Sequence, residues 1–275
     1  MPHDDPLRFP VASFHRVFDT TPVQEVLSLD ELLALLRGFQ LRADTAASVE
    51  RELLRIDRAL AQVLASGSAD GPVGVALGKT VATARAAGDD PTKALHDTAA
   101  RLAADARKSA KRDLRTWSPS LYKPGAARGS DGVLALSCLV FDYDVGATLE
   151  DAAYTWEPWF HVVHSTWSHR TDQPRFRVVI PLARPVAVED WTTVWQWGAD
   201  LTGNVVDRAL KGSAVMFALP AVPSADAERV CQVHAGALLD PGDEGIALRP
   251  APALPPLRRE PGSATQRDGR HVWVE

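Results

Sequence analysis

A chain of 275 residues, 45% hydrophobic and 24% charged, can bury a full core as one large or two small domains, which argues against disorder. Its net charge of -5 argues against a nonspecific duplex binder, which usually carries a basic excess to neutralise phosphates. Cys138 and Cys231 lie far apart, so neither a disulfide framework nor a structural zinc site is expected, and a reducing cytoplasm fits. No basic start leads into an apolar core and no apolar run has spanning length, so neither secretion nor membrane insertion is expected.

Phe9 to Val17 reads as a short strand, and Ser28-Leu-Asp-Glu31 as a capping box opening a helix with Leu32, Leu33, Leu35 and Leu36. From about Asp44 to Arg115 an Ala, Leu, Arg and Asp texture predicts successive helices, with Gly67 and Gly88 as stops and Asp90-Pro91 opening the last. Its end is basic through Arg101, Arg107, Lys108, Lys111, Arg112 and Arg115, which suits a solvated face or a template-contacting surface equally. Gly74 to Thr80 invites a phosphate-loop reading, but only three residues separate Gly74 and Gly78 and no strand precedes them.

Beyond Val133 the runs Leu136 to Phe141, Phe160 to Val163, Phe176 to Leu182 and Val215 to Leu219 read as strands. Thr148-x-x-Asp151 predicts a capped helix, and Trp191, Val194, Trp195 and Gly198 share a helix face. The Pro/Ala run after Leu248 reads as a linker, followed by a polar tail.

Asp142-Tyr-Asp144 closes a strand, and alternation puts both carboxylates on one face. Like charges that close repel unless a cation lies between them, and hard oxygen ligands select magnesium or manganese. The plainer alternative is a turn in which Asp144 caps the Thr148 helix. Arg175 and Arg177 alternate with Phe176 and Val178, so both guanidinium groups face one side, suited to triphosphate oxygens, with Ser168 and His169 as added donors. Taken alone, the same residues also read as exposed strand arginines and a core histidine, and His161 as structural. Asp207 is a candidate third ligand or a helix-terminal aspartate, with Lys211 four residues on.

Phe141-Asp142-Tyr-Asp144, then Ser165-Thr-Trp-Ser168-His169, then Pro174-Arg175-Phe-Arg177-Val-Val-Ile-Pro-Leu, then Asp207 resemble in order the motifs of the archaeo-eukaryotic primase superfamily. The likeness is to the primase-polymerase domains of plasmids, phages and mobile elements, and it covers about Trp117 to Pro223. It implies an α/β (α+β) catalytic core with an RRM-like sheet, in which 1–43 begins the core, 44–115 is a helical insertion, 116–247 completes the core and 248–275 is linker and tail. It further implies a nucleotidyltransferase in which Asp142, Asp144 and Asp207 hold two Mg2+ or Mn2+ ions and Ser168, His169, Arg175, Arg177 and Lys211 bind the nucleotide; relatives often carry a zinc module, for which two distant cysteines leave no zinc expected here. Single-stranded DNA template, primer strand, nucleoside triphosphates and a helicase are the implied partners. One departure is Val215, where relatives commonly carry an arginine. Competing readings are a catalytically silent strand- or nucleotide-binding module and a metal-dependent nuclease.

Overall fold

The computed structural model describes residues 7–144 and 146–251. The chain divides into two compact units, one of residues 42–113 and one of the remainder. The second unit opens with β1 (Phe9–Phe14), which pairs antiparallel with β2 (Val23–Leu27), so the first strand stops three residues before Val17. Helix α1 (Leu29–Arg37) carries the expected capping box: Ser28 Oγ accepts from the Glu31 amide at 3.2 Å and Glu31 accepts from the Ser28 amide at 2.8 Å. It buries Leu32 and Leu36. The two-residue β3 (Gln40–Leu41) follows.

Residues 42–113 form three helices, α2 (Ala43–Ser66), α3 (Gly71–Ala87) and α4 (Pro91–Ala110). Gly67 at φ +79° and Gly88 at φ +76° end the first two in the left-handed conformation that glycine adopts without strain. Ile56, Ala59, Val63, Leu77, Val81, Leu95 and Ala99 make this unit's core. Gly74 lies inside α3, where a Cβ would collide with the Ala69 carbonyl, so packing explains the glycine and the segment is no phosphate loop.

The chain returns through β4 (Thr116–Ser118), β5 (Ser120–Tyr122), β6 (Val133–Tyr143), α5 (Leu149–Thr155), β7 (His161–Ser165), β8 (Phe176–Ala187), α6 (Val188–Leu201), β9 (Phe217–Ala218), β10 (Ala221–Val222) and β11 (Cys231–His234). Two antiparallel sheets result, in the orders β2-β1-β4-β9 and β11-β7-β8-β6-β5, and β10 pairs parallel with β3. The class is mixed α+β. On one face of the five-stranded sheet Leu139, Phe141, Val178 and Ile180 pack with Trp191, Val194 and Trp195 of α6. On the other, Cys138, Val140, Val162 and Val179 pack with Leu32 and Leu36 of α1 and with Phe9, Val11, Trp117 and Phe217 of the four-stranded sheet.

A register shift in β6 between Leu136 and Cys138 turns the strand over, since Leu136 belongs to the α6 side and Cys138 to the other. Ser137 anchors the shift by donating to the Pro10 carbonyl at 2.7 Å. From there Cys138, Val140 and Asp142 alternate on the α1 side. The strand expected over Val215 to Leu219 shortens to Phe217–Ala218, a sheet edge just before a proline, which has no amide hydrogen for a ladder. Among the described residues no helix is long and apolar enough to cross a membrane. Arg249 at the head of the expected linker donates its amide to Asp190 at 2.7 Å, and residues 252–275 of the tail lie outside the described residues.

Candidate active site

The last residues of β6 meet the first residues of β8 in antiparallel register, with Asp142 opposite Arg177 and Tyr143 opposite Phe176. The carboxylate of Asp142 accepts two hydrogen bonds from the Arg177 guanidinium, the Nη2 contact at 2.9 Å, in the bidentate geometry that arginine favours. Arg177 Nη1 donates to the Ala218 carbonyl at 2.6 Å, and its guanidinium lies 4.8 Å from the centre of the Phe217 ring. Its side chain is 6% exposed. Two residues on, Asp144 faces Arg175 at 3.5 Å, with side chains 52% and 28% exposed. Both acids and both arginines thus share one side, as alternation requires. Asp144 does not cap the next helix, because Thr148 and Asp151 cap it themselves.

Arg177, expected at the triphosphate, here has its guanidinium on Asp142, on Ala218 and on an aromatic face. Arg175 keeps a partly exposed charge. His169 sits at the end of the turn from Thr166, with Nδ1 at 3.2 Å from the Arg175 amide. Nδ1 lies equally close, 3.2 Å, to the Arg175 carbonyl, and Nε2 faces Glu228 at 3.5 Å. The ring is 3% exposed, so His169 holds the backbone of Arg175 instead of reaching into solvent. Ser168 is half-buried in the same turn.

Asp207 comes to the open edge of β6 through its amide, which donates to the Asp142 carbonyl at 3.2 Å. Its exposed carboxylate caps the 3₁₀ turn Arg208–Lys211 by accepting from the Ala209 amide at 2.9 Å. Lys211 is exposed at the end of that turn, and its carbonyl accepts from Trp191 Nε1 at 3.0 Å. Among the described residues no group of three or more histidine, cysteine or carboxylate side chains is arranged to hold a metal ion. The donors nonetheless fit magnesium or manganese in kind: two hard carboxylates on one face, each balanced by a guanidinium that supplies the positive charge a metal would bring.

The profile of the VapE N-terminal domain matches residues 104–246, more than half of the chain. This chain belongs to the VapE N-terminal domain family. Membership fits the resemblance to primase-polymerase domains of mobile-element type that its motifs carry. A solved structure of the cyanophage S-2L primase-polymerase, its archaeo-eukaryotic primase domain, is 16% identical, with a TM-score of 0.36 over 52% of this chain and 74% of that one. A likeness that loose carries no argument. No curated protein matches the chain.

In this VapE N-terminal domain three further residues belong to the site's surroundings that sequence reasoning left without a role there. His164 on β7 lies opposite Arg177, and Cys231 on β11 lies opposite His164, so Asp142, Arg177, His164 and Cys231 form one row across four strands. Burial, and then the charge of Arg177, push the His164 imidazole down to about 4, so it is neutral at physiological pH. Glu228 is the third, accepting from Thr171 Oγ1 at 2.6 Å while facing His169. Nothing local in the sequence marks any of the three, because all are placed by contacts between distant segments.

Proposed function

We propose that this VapE N-terminal domain is the catalytic core of a primase-polymerase, adding nucleotides to a primer on a single-stranded DNA template, with an RRM-like sheet of the archaeo-eukaryotic primase type. What carries the reading is the acid pair at the open end of β6: Asp142 and Asp144 on one face, each matched by an arginine, with Asp207 tied to the Asp142 backbone. Asp142, Asp144 and Asp207 would hold magnesium or manganese, which would supply Lewis-acid chemistry for nucleotidyl transfer to the primer 3'-hydroxyl. Arg175, presented by His169, and exposed Lys211 would balance the triphosphate's charge as pyrophosphate leaves, with Ser168 as a further donor. A helicase is the partner that such a module would serve.

Incubation with a primed single-stranded template, nucleoside triphosphates and manganese, resolved on a gel, tests the reading. Extension that is lost in Asp144→Ala supports it. A second reading, a silent strand- or nucleotide-binding module, draws on the same ion pairs, since carboxylates already neutralised by arginine stand without metal. Strand binding that needs no divalent ion, together with no extension by the unaltered chain, would decide for it.

A further inference from the structure

The two arginines opposite the acid pair are built differently. Arg177 lies within β8 and has three anchors, the Asp142 carboxylate, the Ala218 carbonyl and the Phe217 ring. Moving it would unpair a guanidinium that is 6% exposed, which buried ion pairs resist strongly. Arg175 precedes the strand, touches Asp144 at 3.5 Å, and both partners reach solvent. Exposed pairs of this kind shift an equilibrium by about fivefold or less. One guanidinium is fixed and its neighbour is cheap to displace.

We propose that Arg177 is a permanent positioning residue for Asp142, whereas Arg175 is a resident counter-ion of Asp144 that a divalent ion displaces and that then turns to the triphosphate arriving with the metal. The inference rests on the reading of Asp142 and Asp144 as metal ligands. Holding the acid pair neutral before substrate arrives avoids the repulsion of two bare carboxylates. Releasing the guanidinium as the metal takes Asp144 moves one positive charge to where phosphate charge accumulates, so metal and nucleotide binding reinforce one another. His169, which grips the backbone of Arg175 and not its side chain, leaves that side chain free to turn.

The test is binding, not turnover. Mn2+ is titrated into the full chain without nucleotide, with free aqueous Mn2+ followed by its paramagnetic resonance signal, for the unaltered protein and for Arg175→Gln, Arg177→Lys, Asp142→Asn and Asp144→Asn. Arg175→Gln should bind Mn2+ about three- to fivefold more tightly, the gain shrinking as salt rises. With Mn2+ present the same variant should bind a nonhydrolysable nucleoside triphosphate more weakly, the opposite direction in one protein. Arg177→Lys should lose Mn2+ affinity while keeping its circular dichroism, because an ammonium cannot hold both Asp142 oxygens and the Ala218 carbonyl together. Should that variant not fold, Arg175→Gln decides alone. If the two Asp→Asn variants lose Mn2+ while Arg175→Gln matches the unaltered protein, the arginine assignment fails and the metal reading survives. If the Asp→Asn variants bind Mn2+ normally, or the unaltered protein binds none, the metal reading falls and takes this inference with it.

Discussion

Replacing Asp142 by alanine and replacing Asp144 by alanine should have the same effect on primer extension and very different effects on stability. Asp142→Ala leaves the Arg177 guanidinium, 6% exposed, with its main counter-charge gone. Removing one partner of a buried pair costs about 3–5 kcal/mol, and since the Asp142 side chain is itself 21% exposed, some water can reach the gap, giving about 2–4 kcal/mol. Asp144 is 52% exposed and meets Arg175 at 3.5 Å, so its loss should stay within about 0.5 kcal/mol. Urea unfolding followed by tryptophan fluorescence reads this cleanly, because no tryptophan lies within residues 42–113 and the signal reports the sheet-bearing unit. With a slope of about 2 kcal/mol per molar, Asp142→Ala should lower the midpoint by about 1–2 M and Asp144→Ala by about 0.25 M or less. The double change Asp142→Leu with Arg177→Met should recover much of the loss, since a buried pair replaced by apolar groups is often neutral. Equal midpoints for the two single variants would refute the distinction between a buried and a surface pair.

Gly198 on α6 faces Phe141, whose ring would lie 2.8 Å from an added Cβ. Gly198→Val should therefore cost about 1–3 kcal/mol through overpacking, read as a lower urea midpoint. His164 has a folded value near 4 against 6.5 unfolded, so the unfolded chain binds more protons between those limits. Stability should be full above about pH 6.5 and fall by up to about 3 kcal/mol as pH drops toward 4, with burial of His161 adding in the same direction. A flat stability profile from pH 7 to 4.5 would contradict that burial. Lys108→Glu with Lys111→Glu, on the basic end of the helical unit, should weaken single-stranded DNA binding and flatten its salt dependence in anisotropy titrations. Unchanged strand affinity would leave those charges as a solvated face.

Features governed by local rules were legible in the sequence. Ser28 and Thr148 announced capped helices because a cap is settled within four residues, and Gly67 and Gly88 announced helix ends because the left-handed turn is a property of single residues. The alternation that puts Asp142 and Asp144 on one side, and Arg175 and Arg177 on one side, is equally local. What the sequence concealed was that those two sides are the same. Register between β6 and β8 joins residues 35 apart, and no pattern of residue types states it. The arginines consequently read as triphosphate ligands or exposed strand residues, whereas the structure pairs Arg177 with Asp142 and leaves Arg175 half-committed to Asp144. His164 and Cys231 stayed invisible for the same reason, entering the site's row through pairings of β7 with β8 and β11.

The pairing of β1 with both β2 and β4 has a consequence for how the chain emerges during synthesis. The hairpin of Phe9–Phe14 with Val23–Leu27 can close at once, but the other edge of β1 waits for Thr116–Ser118, about a hundred residues later, or roughly 5–20 s at ribosomal speed. Over that interval the strand Phe9-Pro-Val-Ala-Ser-Phe14 offers an open, apolar edge, the kind that recruits other chains. Residues 42–113, whose contacts are short-range, can fold while it waits. Translation that slows within the helical stretch should therefore lengthen the exposure of β1 and favour aggregation of the nascent chain, while brisk passage through it favours the native sheet.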